Sequence, residues 1–281
     1  KDGKLIKYNG KASFVDIPEG VIEITEGALY DKAYISYVTI PESVEKIDNS
    51  IIAWTDCTKI YIPKRVKNIH EKAFSCCKCL ADIVVSEENE YYSAEDGVLY
   101  NKNKTELLFY LDGKKDKVYT IPKHVKKIGK SAFDKMYNNS SYPYRMLEKL
   151  IIPENVEIIS EAAFAGLDNL KVVEIHNGVK NIEKDAFKNC AKLEEVYIPE
   201  SVEKLLVSVF AGCKSLKTFY VSDKLSNPKV SENIEKIAKK YNLEFAQYNF
   251  KKQNGFKISR QIAKENNMYA QNYCGCEFSQ A

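Results

Sequence analysis

The sequence predicts an α/β solenoid, one short supersecondary unit stacked many times around a shared core. Two observations carry that prediction. First, an Ile-Pro pair recurs at Ile17-Pro18, Ile40-Pro41, Ile62-Pro63, Ile121-Pro122, Ile152-Pro153 and Ile198-Pro199, and Val85, Ile175 and Val221 fill the same slot without proline. Most steps between these anchors are 22 or 23 residues, and a fixed period in the range of ~20–50 residues marks stacked repeats. Second, the apolar slots inside a unit keep their offsets. After Ile175 come Val179, Ile182, Ala186-Phe187, Cys190, Leu193, Val196 and Ile198. After Ile152 come Val156, Ile159, Ala163-Phe164, Leu167, Leu170, Val173 and Ile175. A single unit cannot bury these positions, whereas a stack closes over all of them.

Each slot has a physical role. The stretch ending at Ile198 alternates, with Val196 and Ile198 inward and Glu195 and Tyr197 outward, which reads as a short strand. The following proline cannot donate to a ladder and closes the strand. Ala-Phe sits on a short helical or 3₁₀ turn, where Ala permits close approach and Phe fills the space behind the sheet. About eight such strands over residues 17–221 lie parallel and in register, a curved sheet roughly 35 Å long at ~4.8 Å per step. Two steps are longer, 36 residues from Val85 to Ile121 and 31 from Ile121 to Ile152. They place a hairpin-like insert near 91–117 and a loop insert near 137–146. Residues 1–16 read as an N-terminal cap and 222–281 as a C-terminal segment or cap.

The residues flanking the inward positions form two outward rows on the concave face. One row runs Thr39, Tyr61, Val84, Thr120, Ile151, Glu174, Tyr197, Tyr220; the other runs Tyr37, Lys59, Asp82, Val118, Lys149, Val172, Glu195, Thr218. Aromatic side chains supply rigid contact area with a polar tip. Tyr37, Tyr61, Val84, Ile151, Val172, Tyr197 and Tyr220 are therefore the candidate binding face, with the Tyr197–Tyr220 end expected to be its stickiest part. Strand propensity alone also favours Tyr, Val, Ile and Thr at such positions.

Composition excludes several classes. The chain has 281 residues, 44% hydrophobic and 29% charged, with a net charge of +3. That is ordinary globular material, and the charge is too small to indicate a nucleic-acid or anionic-membrane partner. No apolar run approaches the ~18 residues that would indicate a membrane helix. No leader is visible, and the first residue is not Met. There is no Gly-rich phosphate loop, no His-Glu-x-x-His and no Gly-x-Ser-x-Gly. The paired acids Glu87-Glu88 and Glu194-Glu195 occupy variable positions and read as solvated faces. A monomer is expected.

Eight cysteines and three histidines receive mostly structural readings. Cys77, Cys190 and Cys213 stand three residues after the Phe of their repeats, a slot that elsewhere holds Leu167, Met136 or Lys32, so Cys is read there as a small hydrophobe. Cys57 falls in or beside the same slot in a repeat one residue shorter. Cys76 and Cys79 occupy variable positions. A metal site needs about four converging ligands, and only His70 is near this cluster. His70, His124 and His176 sit at nonequivalent positions with no Ser or Cys partner at a predictable distance.

The phrase Ile-Pro-x-x-Val-x-x-Ile-x-x-x-Ala-Phe-x-x-Cys-x-x-Leu resembles the BspA-type leucine-rich repeat over about residues 17–221. The insert Asp96-Gly97-Val98-Leu99-Tyr100-Asn101-Lys102-Asn103-Lys104-Thr105 is also typical of that family, and Asp2-Gly3-Lys4-Leu5-Ile6 is similar to a worn copy of it. The resemblance implies a right-handed leucine-rich-repeat solenoid that binds a protein or glycan outside the cell or on its surface, without catalysis.

After Val221 the phrase stops. Ile234, Ile237, Ala238 and Tyr241 mark an amphipathic helix, Leu243 and Phe245 a short strand, and a further helical stretch is expected through Lys264. The string Tyr269-Ala270-Gln271-Asn272-Tyr273-Cys274-Gly275-Cys276-Glu277-Phe278-Ser279 resembles the end of QueH-type epoxyqueuosine reductases. That resemblance covers about residues 228–281 and implies that Cys274 and Cys276 serve an iron–sulfur centre. Asn249 and Ala270 depart from the family pattern, and its N-terminal half is absent. Three function classes follow: a non-catalytic binding solenoid without cofactor, a queuosine-related iron–sulfur protein, which would be cytoplasmic, or a degenerate fusion without a ligand.

Overall fold

In the computed structural model the described residues are 3–133, 146–250 and 256–258, with the backbone alone for 244–250 and 256–258. The expected loop insert near 137–146 thus falls almost wholly outside the described residues. The chain forms a parallel-strand solenoid of about nine turns. Each turn has a front strand, a two-residue back strand and a tight corner. Front strands run from Phe14–Asp16 and Tyr37–Thr39 through Val172–Ile175 and Glu195–Ile198 to Thr218–Ser222. Back strands such as Lys46–Ile47, Asn181–Ile182 and Lys204–Leu205 form a second column. This column is the part of the unit the alternation did not reveal. It spans too few residues to show a period.

The expected register holds. Val172 lies opposite Glu195, Val173 opposite Val196 and Glu174 opposite Tyr197, and Tyr197 lies opposite Tyr220. The front ribbon is nevertheless not one ladder. Phe14–Asp16 pairs with Tyr37–Thr39, Lys59–Ile62 pairs with Asp82–Val85, and a separate seven-stranded ladder begins at Val118–Thr120. Val85 therefore ends one ladder, while Ile175 and Ile198 lie on adjacent rungs of another.

The insert causes the last break. It is a three-stranded meander, Tyr92–Glu95, Val98–Asn101 and Glu106–Tyr110, whose strands join the back column. Its first turn carries Asp96 and Gly97 at φ of 50° and 69°, the left-handed pair that a two-residue hairpin turn requires. A Cβ on Gly97 would lie 2.5 Å from the Ala81 carbonyl, so the insert's backbone rests directly on the preceding rung. Both faces of the meander are buried. Leu99, Phe109 and Leu111 pack into the N-terminal core, and Val98, Tyr100, Leu107 and Tyr110 pack into the C-terminal core. One layer of chain thus serves as the common wall of two hydrophobic clusters.

In the C-terminal cluster the Ala-Phe slot stacks its rings in a column. Centroids are 4.8 Å apart for Phe133–Phe164, 5.1 Å for Phe164–Phe187 and 5.5 Å for Phe187–Phe210. Among the described residues, the corners that hold these rings are turns, except that Val207–Phe210 is a 3₁₀-helix. Most corners use left-handed residues at two fixed places. Gly27, Ser50, Ser131, Ala162 and Asp185 precede the first corner residue, and Asp31, Trp54, Cys76, Gly166, Asn189 and Gly212 follow the second by two. A non-glycine residue in this region costs about 1 kcal/mol or more. Ala162→Gly is accordingly expected to raise stability by about 0.5–1 kcal/mol, read as a higher denaturant midpoint at unchanged slope. A lower midpoint would show that the corner is not strained.

The back column ends at Lys204–Leu205, against the helix Pro228–Tyr241. Asn227 accepts from the Lys229 and Val230 amides, Pro228 occupies the first helical position, and left-handed Asn242 ends the helix. Val230, Ile234, Ile237 and Ala238 bury one face against the last turn. Polar side chains then pair with backbone groups of the last back strand and corner, where a further back strand would lie. Asn233 donates to the Leu205 carbonyl at 2.9 Å, and the Tyr241 hydroxyl donates to the Phe210 carbonyl at 3.1 Å and accepts from the Gly212 amide at 3.2 Å. The front ribbon continues through Glu244–Phe250, parallel to Thr218–Ser222. Phe256–Ile258 is an antiparallel strand beside it, where the sequence suggested helix; strand pairing overrides that periodicity. Residues 259–264 lie outside the described residues.

Candidate functional site

The front face extends the expected rows by one rung. Phe14 stands three residues before Ile17, as Tyr37 stands three before Ile40, and it pairs in register with Tyr37. Assigning residues 1–16 to a cap hid that position, although its spacing signal was present. The rows differ sharply in exposure along their length. Phe14, Tyr37 and Tyr61 are 68%, 45% and 40% exposed, while Val172, Tyr197 and Tyr220 are 6%, 8% and 3% exposed. Val84 and Ile151 are half-buried.

The open part is built from aromatic and paired polar side chains. Phe14 and Tyr37 have ring centroids 6.1 Å apart. Tyr61 lies one rung on, in the other row. Around them, Thr39 donates to Asp16 at 2.6 Å and Lys59 pairs with Asp82 at 2.9 Å. The exposed Lys59–Asp82 ion pair fixes orientation more than it adds stability.

The buried part is a polar cluster within the same rows. Lys149 and Glu174 form a 2.6 Å ion pair with both side chains 8% exposed. Glu195 beside them receives a hydrogen bond from the Tyr197 hydroxyl at 3.4 Å, and burial pushes its carboxyl above the ordinary carboxylate range. His176 Nε2 lies 4.0 Å from Glu174. Tyr197 and Tyr220 stack at 4.3 Å. Because this pair is buried, lysine at either position would disturb packing rather than probe an exposed contact.

The cysteine slot is structural. Cys57, Cys77, Cys190 and Cys213 are buried, and burial raises the thiols of Cys57, Cys77 and Cys190. Cys190 and Cys213 direct their thiols to the carbonyls of Phe164 and Phe187, at 3.2 and 3.0 Å. Cys79 is half-buried beside Asp56, and Cys76 takes a left-handed corner position. Among the described residues, no group of three or more His, Cys, Asp and Glu could share a metal ion. Cys274 and Cys276 lie outside the described residues.

A stacked parallel ribbon with a repeated apolar corner and an Asp-Gly meander defines a leucine-rich-repeat solenoid. The chain belongs to the BspA-type leucine-rich-repeat family, whose repeat region matches in six copies over residues 6–138 and 135–256. Solved structures agree. The pneumococcal vaccine antigen PcpA is 27% identical, with a TM-score of 0.62 over 75% of this chain and 51% of that one. A leucine-rich cell surface protein from Faecalibacterium prausnitzii A2-165 is 30% identical, with a TM-score of 0.52 over 74% of this chain and 59% of that one. A leucine-rich-repeat protein from Eubacterium ventriosum ATCC 27560 is 26% identical, with a TM-score of 0.60 over 76% and 61%. The chain thus spans between 51% and 61% of the lengths of these structures. No curated protein matches it. The epoxyqueuosine-reductase resemblance finds no support in these matches, and the repeat family itself reaches residue 256 of the segment that suggested it. Among the described residues, no helix is long and apolar enough to cross a membrane.

Proposed function

We propose that the chain is a non-catalytic binding module that engages a protein partner on the open first rungs of its front face. The observation that carries this reading is the exposure of Phe14, Tyr37 and Tyr61 together, bordered by the Asp16–Thr39 and Lys59–Asp82 pairs. Exposed aromatics within a polar rim have the makeup of a protein interface centre, where a few such residues carry most of the affinity. The module acts at the bacterial surface or outside the cell. That placement rests on the family and on a structural neighbour described as a cell surface protein.

The test is a binding screen of the immobilised chain against extracellular host and bacterial proteins, with a glycan array run in parallel. For a protein hit, the double substitution Tyr37→Lys and Tyr61→Lys is expected to weaken binding by about 30-fold or more, equivalent to ~2 kcal/mol. The thermal transition should stay in place, since both side chains are exposed. Unchanged affinity would remove this face from the account, and hits confined to glycans would replace the protein reading.

A further inference from the structure

We infer that a groove over the outer side of the N-terminal corners is a binding site for a short, uncharged oligosaccharide. The groove starts from a difference in corner length. Phe14 follows Leu5 by nine residues, whereas Tyr37 follows Ile24 by 13, Lys59 follows Ile47 by 12 and Asp82 follows Ile69 by 13. The short corner follows its neighbour to Tyr8, whose amide donates to the Ala28 carbonyl at 2.8 Å, and then turns to the front strand. The Tyr34 hydroxyl, donating to the Gly10 carbonyl at 2.8 Å, fixes that turn. The next corner runs on beside its own successor, with the Asp31 amide donating to the Ala53 carbonyl at 3.0 Å. A cavity of about 550 Å³ opens where the two paths diverge and crosses the following corners as far as Cys76.

The lining indicates the ligand. Small residues, Gly27, Ala28, Ser50 and Ala53, line the groove across successive corners. From the corner of Gly27 to that of Cys76 is two steps, about 10 Å at ~4.8 Å each, which suits an extended molecule. The charged residues cancel, Lys7 and Lys32 against Glu26 and Asp31, so an ionic ligand gains no net attraction. Asn49 Nδ2 donates to Glu26 at 3.1 Å, and Asn49 Oδ1 accepts from the Ser50 hydroxyl at 2.9 Å. This row offers a carboxylate acceptor, an amide and a hydroxyl side by side, matching ligand hydroxyls that both donate and accept. Tyr30, 44% exposed, adds aromatic surface with a polar tip. A neutral polyhydroxyl chain with an apolar ring face meets all of these conditions. A peptide strand does not, because it would need open backbone groups. The corner amides of Gly27, Asp31 and Trp54 are already bonded to the Asn49, Ala53 and Cys76 carbonyls.

The probes are maltotriose, cellotriose and triacetylchitotriose, titrated into the whole chain and read by saturation-transfer NMR and calorimetry, with 3′-sialyllactose as a charged control. Saturable binding of at least one neutral trisaccharide is expected, tighter than that of the control. Glu26→Gln removes the charged acceptor and Tyr30→Ala removes the ring. Each should weaken binding about tenfold and leave the thermal transition in place, since both side chains are exposed. The Tyr37→Lys and Tyr61→Lys protein should bind the sugar unchanged, so the groove and the front-face reading stand or fall separately. Absence of saturable binding by all three neutral sugars, indifference to both groove variants, preference for the charged control, or loss of binding in the front-face variant would each overturn the inference.

Discussion

Replacing Phe187 by Ala lowers stability by about 3–5 kcal/mol, measured as a fall in the urea midpoint at constant slope. Phe187 is fully buried and stacks on Phe164 at 5.1 Å and Phe210 at 5.5 Å. Neighbouring corners are tied together by backbone bonds, among them the Phe187 amide to the Val209 carbonyl at 2.9 Å and the Phe164 amide to Ala186 at 2.8 Å. The corners therefore cannot close over the missing ring, and the cavity persists. The effect should fall first on the C-terminal core, because the meander separates it from the N-terminal cluster. A loss near 1 kcal/mol would mean that the column collapses around the gap.

Asn89→Val is expected to destabilise by about 3 kcal/mol, although it restores the residue that other repeats carry. The same slot holds Val44, Val66, Val125, Val156, Val179 and Val202. Asn89 is fully buried. Its amide donates to the Pro63 and Val66 carbonyls at 2.9 Å each, and its Oδ1 accepts from the Tyr91 and Tyr92 amides at 2.9 and 2.8 Å. All four bonds join the third front strand's turn to the start of the meander. Valine keeps the volume and leaves four backbone groups to find other partners, so the cost comes from desolvated polar groups rather than from packing. Hydrogen exchange should show the loss around Tyr91–Tyr92 and Ile69, whose amide donates to the Tyr92 hydroxyl at 3.0 Å. Wild-type stability in the Asn89→Val chain would refute this assignment.

These two residues show where reading the chain succeeds and where it stops. Phe187 was legible because its slot recurs with Ala before it at a constant offset, and one recurrence predicts the next. The outward rows were legible for the same reason: a step of 22 or 23 residues places Tyr197 beside Tyr220 and Lys59 beside Asp82. Asn89 was not legible, since a polar residue in an apolar slot gives no sign of the carbonyls waiting for it. Nor were the left-handed corners. Gly166 and Gly212 hint at them, but Trp54, Cys76 and Asn189 take the same backbone conformation with unrelated side chains.

The candidate face was legible in position and not in accessibility. Tyr37 and Tyr220 read alike in sequence, yet one is 45% exposed and the other 3%. The sequence by itself determined the repeat, its register and the side of the ribbon each residue takes, because identical units can share a core only when like positions align. Tertiary structure alone decided where the ribbon breaks and which half of the front face stays open. Those properties belong to whatever lies across from a residue, and a local pattern holds no record of that.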